Sequence, residues 1–237
     1  MEKTEKEKIE DALKWYLSMS KLNDTERQGW LDWNIKRERI ESVGEHTFDT
    51  IQLAIAIWSE FDVPVNIDRV GMMLNVHETE EPIIGDISLV HKLKEYKKEI
   101  GKIAVEHMTS CLTKNAYVRG LINEYEEQKT PESKFAKFCD KLQCDIESKL
   151  NDEENTIDLN HQENNLSYNH PLVQKLLSEG KSFSEMWMEF GRTVYNYPEK
   201  FNNISEYAEV NDLHELRDNN INKGKQKVKE YLDEIIK

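Results

Sequence analysis

Five consecutive residues, His77-Glu78-Thr79-Glu80-Glu81, set one imidazole beside three carboxylates, and Asp86 adds another carboxylate after Pro82 and Gly85. Neutral imidazoles and carboxylate oxygens are ligands for divalent cations, and a bound cation acidifies water and polarises a phosphoryl oxygen. The stretch is thus the raw material of a metal-dependent hydrolytic site, and the remaining ligands must come from elsewhere. Two residues qualify by type and position: His46, in the first turn of one predicted helix, and Asp140, on a later helix beside Ala136, Gln143 and Cys144. Together His46, His77, Glu78 and Asp140 form a mixed N/O set suited to one divalent ion (Mn, Fe, Co, Zn or Mg) with positions left open for water. Glu81, four residues after His77, is predicted on the same helical face, where it would orient or deprotonate that water.

The elements that must position these groups read as nearly all helix. Gly and Pro are few, at 9 and 5, and β-branched runs are short. Ile9, Leu13, Tyr16 and Leu17 recur at helical spacing and predict a first amphipathic helix. Residues 23–41 look irregular. Ser42-Val-Gly-Glu45 has the form of a capping box and should open a second helix, with Phe48, Ile51, Ile55 and Trp58 as its apolar face. Asp68 can start a third, carrying Val70, Met73, Leu74 and His77 on one stripe, with Pro82 and Gly85 ending it. A fourth helix is predicted over about 91–112. Thr130-Pro131 is a cap and first-turn pair for a helix through about Lys149, with Phe135, Phe138, Cys139, Leu142 and Ile146 inward. Residues 151–169 are rich in Asn and acids and read as a loop or insertion. Phe183, Met186, Trp187, Phe190 and Val194 predict another helix, and a charged helix closes the chain after Asn222.

Composition narrows the function. The 237 residues carry a net charge of -14, which repels nucleic acid polymers and anionic membranes but not a small anion held by a bound cation. No apolar run approaches the length of a membrane span, so no membrane association is expected. Cys111, Cys139 and Cys144 lack paired spacing and suggest reduced thiols in a cytoplasmic protein.

Three segments, in order, resemble the HD superfamily of metal-dependent phosphohydrolases, whose pattern is H…HD…D. Glu41-Ser-Val-Gly-Glu-His46, His77 through Ile87 (HETEEPIIGDI) and Lys134-Phe-Ala-Lys-Phe-Cys-Asp140 look like the corresponding segments of its 5'-deoxynucleotidases. The resemblance covers roughly residues 5–150 and implies an all-α HD-type helical bundle over 1–150. Residues 170–237 would add helices packed on the same domain, covering the site or building a homodimer face. It further implies that His46, His77, Glu78 and Asp140 hold the metal, that Glu81 is the catalytic carboxylate, and that Asp86 lies near the sugar or the site wall. Arg27 and Trp30 match the family's phosphate and sugar contacts. The stretch from 34 to 46 is longer than the family spacing, so Arg37 and Arg39 compete with Arg27 for the phosphate. The implied substrate is a small nucleotide, a deoxynucleoside 5'-monophosphate.

One letter departs from the pattern: the doublet is His-Glu, and the extra methylene of Glu78 adds about 1.3–1.5 Å of reach. Two alternatives stay open, an HD hydrolase of nucleoside triphosphates or cyclic nucleotides, and a degenerate HD-fold binding or scaffold protein. Singly, each residue has a plainer reading: His46 solvated, His77 a satisfied core histidine, the acids a wet helix end, Asp140 a lysine partner. A zinc-peptidase reading of H-E-x-x-E requires a helix that Pro82 should end, and it leaves His46 and Asp140 unused.

Overall fold

The computed structural model describes residues 3–88, 94–162 and 165–236. The helices run α1 Glu5–Met19, α2 Gln28–Asp32, α3 Val43–Phe61, α4 Ile67–Val76, α5 Glu81–Ile84 and α6 Lys97–Thr109. They continue with α7 Asn115–Glu127, α8 Pro131–Glu153, α9 Pro171–Ser178, α10 Phe183–Tyr195, α11 Glu199–Val210 and α12 Leu213–Ile235. No strand occurs among the described residues beyond an isolated bridge from Glu26 to Ser42. The expected all-α class is what the chain adopts.

α8 is the axis of the fold, with α3, α4, α7, α10 and α11 packed on it. Ala54, Val70, Met73, Leu74, Leu121, Tyr125, Phe135, Cys139 and Leu142 form the main core. A second core joins α2 to α9 and α10 through Trp30, Trp33, Val173, Leu176, Phe183 and Met186. The C-terminal helices therefore share buried surface with the segment that carries Arg27.

Local chemistry sets the helix that carries His46. Ser42 Oγ accepts from the Glu45 amide at 3.2 Å while the Glu45 carboxylate accepts from the Ser42 amide at 2.9 Å, a complete capping box worth about 1 kcal/mol. Gly44 is required beside it, because a Cβ there would lie 2.3 Å from Asn23 Oδ1. The inward face of α3 differs from the expected one. Phe48 is 61% exposed and Ile55 45%, whereas Val43, His46, Thr47, Thr50, Ala54 and Ile57 are buried. The inward set is offset by about one residue, or 100° of helix rotation. His46 lies on this inward set. Thr50 tolerates burial there because its hydroxyl donates to the Thr47 carbonyl at 2.8 Å.

Other elements also depart from the sequence reading. The α1 stripe of Ile9, Leu13, Tyr16 and Leu17 is exposed; Lys3, just before α1, pairs with Asp11 of that helix and donates to the Cys111 carbonyl. The third helix starts at Ile67, capped by Asn66, and stops at Val76. There the Thr79 hydroxyl donates to the Val76 carbonyl at 2.6 Å and competes with continuation. Pro82 does not end that helix; it sits in the first turn of α5, where its missing N–H costs nothing, and Gly85 at φ 73° closes α5. His77 and Glu81 thus lie on opposite sides of a turn, not on one helical face. α6 is shorter than the span predicted for it, and residues 91–93 of that span lie outside the described residues. α7 was not anticipated at all, and α12 begins nine residues before Asn222.

The α8–α10 contact contains a buried acid. Asp145 accepts from the Tyr197 hydroxyl at 3.0 Å, its Oδ1 has no partner, and Gly191 leaves the room for it, since a Cβ there would come within 2.8 Å of Oδ1. Burial raises this carboxyl well above 3.8, more than Tyr197, Arg192 and Lys141 lower it. The folded chain keeps a proton that the unfolded chain releases, so stability falls as pH rises above the unfolded value. Asp145→Asn should raise the Tm at pH 8 by several degrees, with the gain shrinking toward pH 4. Thermal melts of both proteins across that range check it; an equal shift at every pH would contradict it.

Candidate metal centre and active site

Four groups from three elements meet at the end of the main core. α3 supplies His46, the C-cap of α4 supplies His77 followed by Glu78, and α8 supplies Asp140. One donor atom each from His46, His77 and Glu78 lies within 4.8 Å of the others, and the same holds for His46, Asp140 and Cys144.

Hydrogen bonds fix both imidazoles in one orientation. His46 Nδ1 lies 2.6 Å from Gln143 Oε1, and Gln143 Nε2 donates to Glu41 Oε1 at 2.8 Å. Glu41 as a carboxylate only accepts, so the Gln143 amide is oriented with its oxygen toward His46, and Nδ1 must donate. Trp30 Nε1 completes the chain by donating to Glu41 Oε2 at 2.5 Å. His77 Nδ1 donates to the Leu74 carbonyl at 2.6 Å. In the neutral ring each Nε2 is then a lone pair. That of His46 faces Asp140 Oδ1 at 3.1 Å. That of His77 lies 3.3 Å from Glu78 Oε1, misaligned for a hydrogen bond, and is a buried atom with no partner. Lone pairs aimed at carboxylate oxygens repel unless a proton or a cation lies between them.

The electrostatics agree. Burial lowers the His77 pKa more than Glu78 and Asp140 raise it, leaving the neutral imidazole that metals bind. Burial opposes ionisation of Glu78, but His77, Lys97 and Arg27 outweigh it and hold the carboxylate well below its usual range. Burial likewise opposes the Asp140 charge, and Lys141, Lys137 and His46 override it. Asp140 Oδ2 accepts from Tyr125 Oη at 2.6 Å and lies 3.1–3.2 Å from both lysines, which leaves Oδ1 for the centre. His46, His77 and Glu78 form one such donor set, Asp140 adjoins it through His46, and the two imidazoles favour a transition metal over Mg²⁺. The longer Glu78 side chain still reaches the cluster.

Glu81 is buried next to this centre, and neither oxygen makes a hydrogen bond of sound geometry. Burial, then Glu78 and Asp86, push its carboxyl well above 4.5. Arg27 lies on the other side, with Nη1 3.4 Å from Asp86 and 3.9 Å from Glu78, and Nη2 3.4 Å from Cys144 Sγ. Asp86 also accepts from the Gln28 amide at 2.9 Å, so it anchors the start of α2.

Of the expected site residues, the structure gathers His46, His77, Glu78, Asp140, Glu81, Arg27 and Asp86. Trp30 stands behind them, stacked on Trp187 at 4.9 Å, and reaches the centre only through Glu41 and Gln143. Arg37 and Arg39 are not brought in. Arg37 is paired with Glu147 and Glu154, and Arg39, 76% exposed, pairs with Glu45. Both line a cleft of about 930 Å³ beside α3 and α8, whose wall includes Glu41 and Gln143 but none of the four candidate ligands. The sequence reading missed Gln143, Tyr125, Lys97 and Cys144. Gln143 and Cys144 stand one turn beyond Asp140, a spacing that could have flagged them.

The chain belongs to the HD domain family, whose pattern it matches over residues 19–176. It is 31% identical over 145 residues to 5'-deoxynucleotidase HDDC2 of Danio rerio, covering 59% of this chain and 69% of that protein. It is 30% identical over 173 residues to 5'-deoxynucleotidase HDDC2 of Homo sapiens, covering 68% and 80%. A predicted metal-dependent phosphohydrolase from Magnetospirillum magnetotacticum shares the fold, with a TM-score of 0.53 at 21% identity over 80% of this chain and 94% of its own. No helix among the described residues is long and apolar enough to cross a membrane.

Proposed function

We infer that this HD-family chain is a metal-dependent nucleotidase, and we propose that it releases inorganic phosphate from deoxynucleoside 5'-monophosphates. The observation that carries the reading is the pair of imidazoles whose Nδ1 atoms are tied to Gln143 and Leu74 while both Nε2 lone pairs face carboxylate oxygens. His46, His77, Glu78 and Asp140 hold one divalent ion. When bound, that ion supplies positive charge to polarise a phosphoryl oxygen and to acidify water. Glu81, acting as the carboxylate, accepts the proton of the water that attacks phosphorus; its buried oxygens make no hydrogen bond, and burial beside Glu78 and Asp86 strengthens it as a base. The new P–O bond forms as the bond to the 5'-oxygen breaks, and that oxygen takes up a proton from solvent. Arg27, steadied by Asp86, offers N–H donors to the phosphate oxygens.

Arg37 and Arg39 face the other cleft, and Lys137 and Lys141 are drawn to Asp140, which leaves Arg27 and Lys97 as the cations directed at Glu78, Glu81 and Asp86. That charge suits a monophosphate better than a triphosphate. The test is a phosphate-release panel of nucleoside and deoxynucleoside mono- and triphosphates and cyclic nucleotides, each with Mn²⁺, Co²⁺, Zn²⁺ or Mg²⁺. Release should be confined to 5'-monophosphates and be highest with the transition metals. Turnover of triphosphates alone, or of nothing with any metal, would overturn the reading.

A further inference from the structure

Lys97 is the first residue of α6, followed by Lys98 and Glu99 in the same turn. The N-terminus of a helix carries partial positive charge, so a basic side chain in its first turn is disfavoured. α6 has no side-chain cap to offset this. Lys97 also falls on the inward face of α6. Gly101, Ala104 and Met108 follow it at helical spacing and are buried, and Gly101 lies against Glu80, its nearest neighbour. A lysine on such a face is tolerated where its ammonium meets a carboxylate.

That carboxylate is Glu81. Lys97 Nζ lies 3.6 Å from Glu81 Oε1 and 3.5 Å from the Ile87 carbonyl. Neither Glu81 oxygen has a hydrogen-bond partner, so this ion pair is the attractive contact from α6 that bears on the carboxylate's rotamer, opposite the repulsion of Glu78. Arg27 is directed to Asp86, Glu78 and Cys144, and Lys137 and Lys141 to Asp140.

We propose that Lys97 is a positioning residue for Glu81: wedged between the Ile87 carbonyl and Glu81, its ammonium fixes the direction of the carboxylate that takes the proton from water. The proposal rests on the assignment of Glu81 as that base. Misplacing a catalytic group by an ångström costs about a hundredfold in rate. Lys97→Met should therefore lower kcat by roughly tenfold to a hundredfold with KM nearly unchanged, and Lys97→Arg should recover most of the loss.

The decisive measurement is a double-mutant cycle on the metal-loaded protein, with Tm and bound metal recorded for each variant. In the Glu81→Gln background, Lys97→Met should cost nothing further in kcat, because the group it orients is gone. Additive losses would overturn the proposal, as would a rise in KM at constant kcat, which would make Lys97 a phosphate contact. A kcat loss matched by a fall in Tm or metal content, and not rescued by Arg, would also overturn it. If the wild-type chain released no phosphate under any condition, the functional reading would fail first, a result separable from any of these.

Discussion

Glu81→Gln should leave the fold and the metal in place and cut phosphate release by about 10²–10⁴-fold, the range for loss of a positioned general base. Gln keeps the volume and one acceptor oxygen but cannot take a proton at neutral pH. The loss should fall on kcat, because Glu81 meets the water rather than the bound nucleotide. Tm should change little, since Gln keeps the buried volume and only the long ion pair with Lys97, at 3.6 Å, is lost. The measurement is steady-state phosphate release beside a melt and a metal assay of the same preparation. Retained turnover in a folded, metal-loaded variant would remove Glu81 from the chemistry and hand the proton to another group.

The second large effect concerns the ion. Chelation of the wild-type protein should abolish turnover and lower Tm, and Mn²⁺ or Co²⁺ should restore both. An ion at a hundred times its Kd stabilises the folded state by about 2.7 kcal/mol, enough for a shift of several degrees. His77→Ala should behave as the chelated protein does and fail to recover with added metal, because it deletes the Nε2 that stands buried without a partner. Glu78→Asp tests the departure from the family doublet. If the site merely accommodates Glu, the shorter acid retains or improves binding; if the backbone has adapted to Glu, metal content falls. Isothermal titration with Mn²⁺ separates the two outcomes. Full activity after exhaustive chelation would contradict the proposed metal dependence.

What the sequence made legible was order and chemistry, segment by segment. The capping box at Ser42, the acid-rich run after His77 and the Lys-Phe segment before Asp140 each have a local signature, and the structure brings their ends together. What stayed hidden depends on packing. The inward face of α3 carries His46, whereas periodicity alone gave Phe48 and Ile55 the larger apolar weight. The turn after Val76 depends on the Thr79 hydroxyl, a competition that a count of helix breakers does not see. Arg37 and Arg39 sit near His46 in sequence, yet Glu147 and Glu154, more than a hundred residues on, draw Arg37 away. Tyr125 bonds Asp140 from a helix the pattern did not reveal.

α8 makes the site unusually intolerant of one kind of change. A single helix carries Asp140, the Gln143 that orients His46, Cys144 beside Arg27, the buried Asp145, and core residues Phe135, Cys139 and Leu142. Each faces its partner only at one rotational phase. A one-residue insertion or deletion upstream of Asp140 would turn everything after it by about 100°. Such a frame slip would remove a ligand, its support and part of the core in one event. Descendants of this chain are thus expected to change α8 by substitution at constant length.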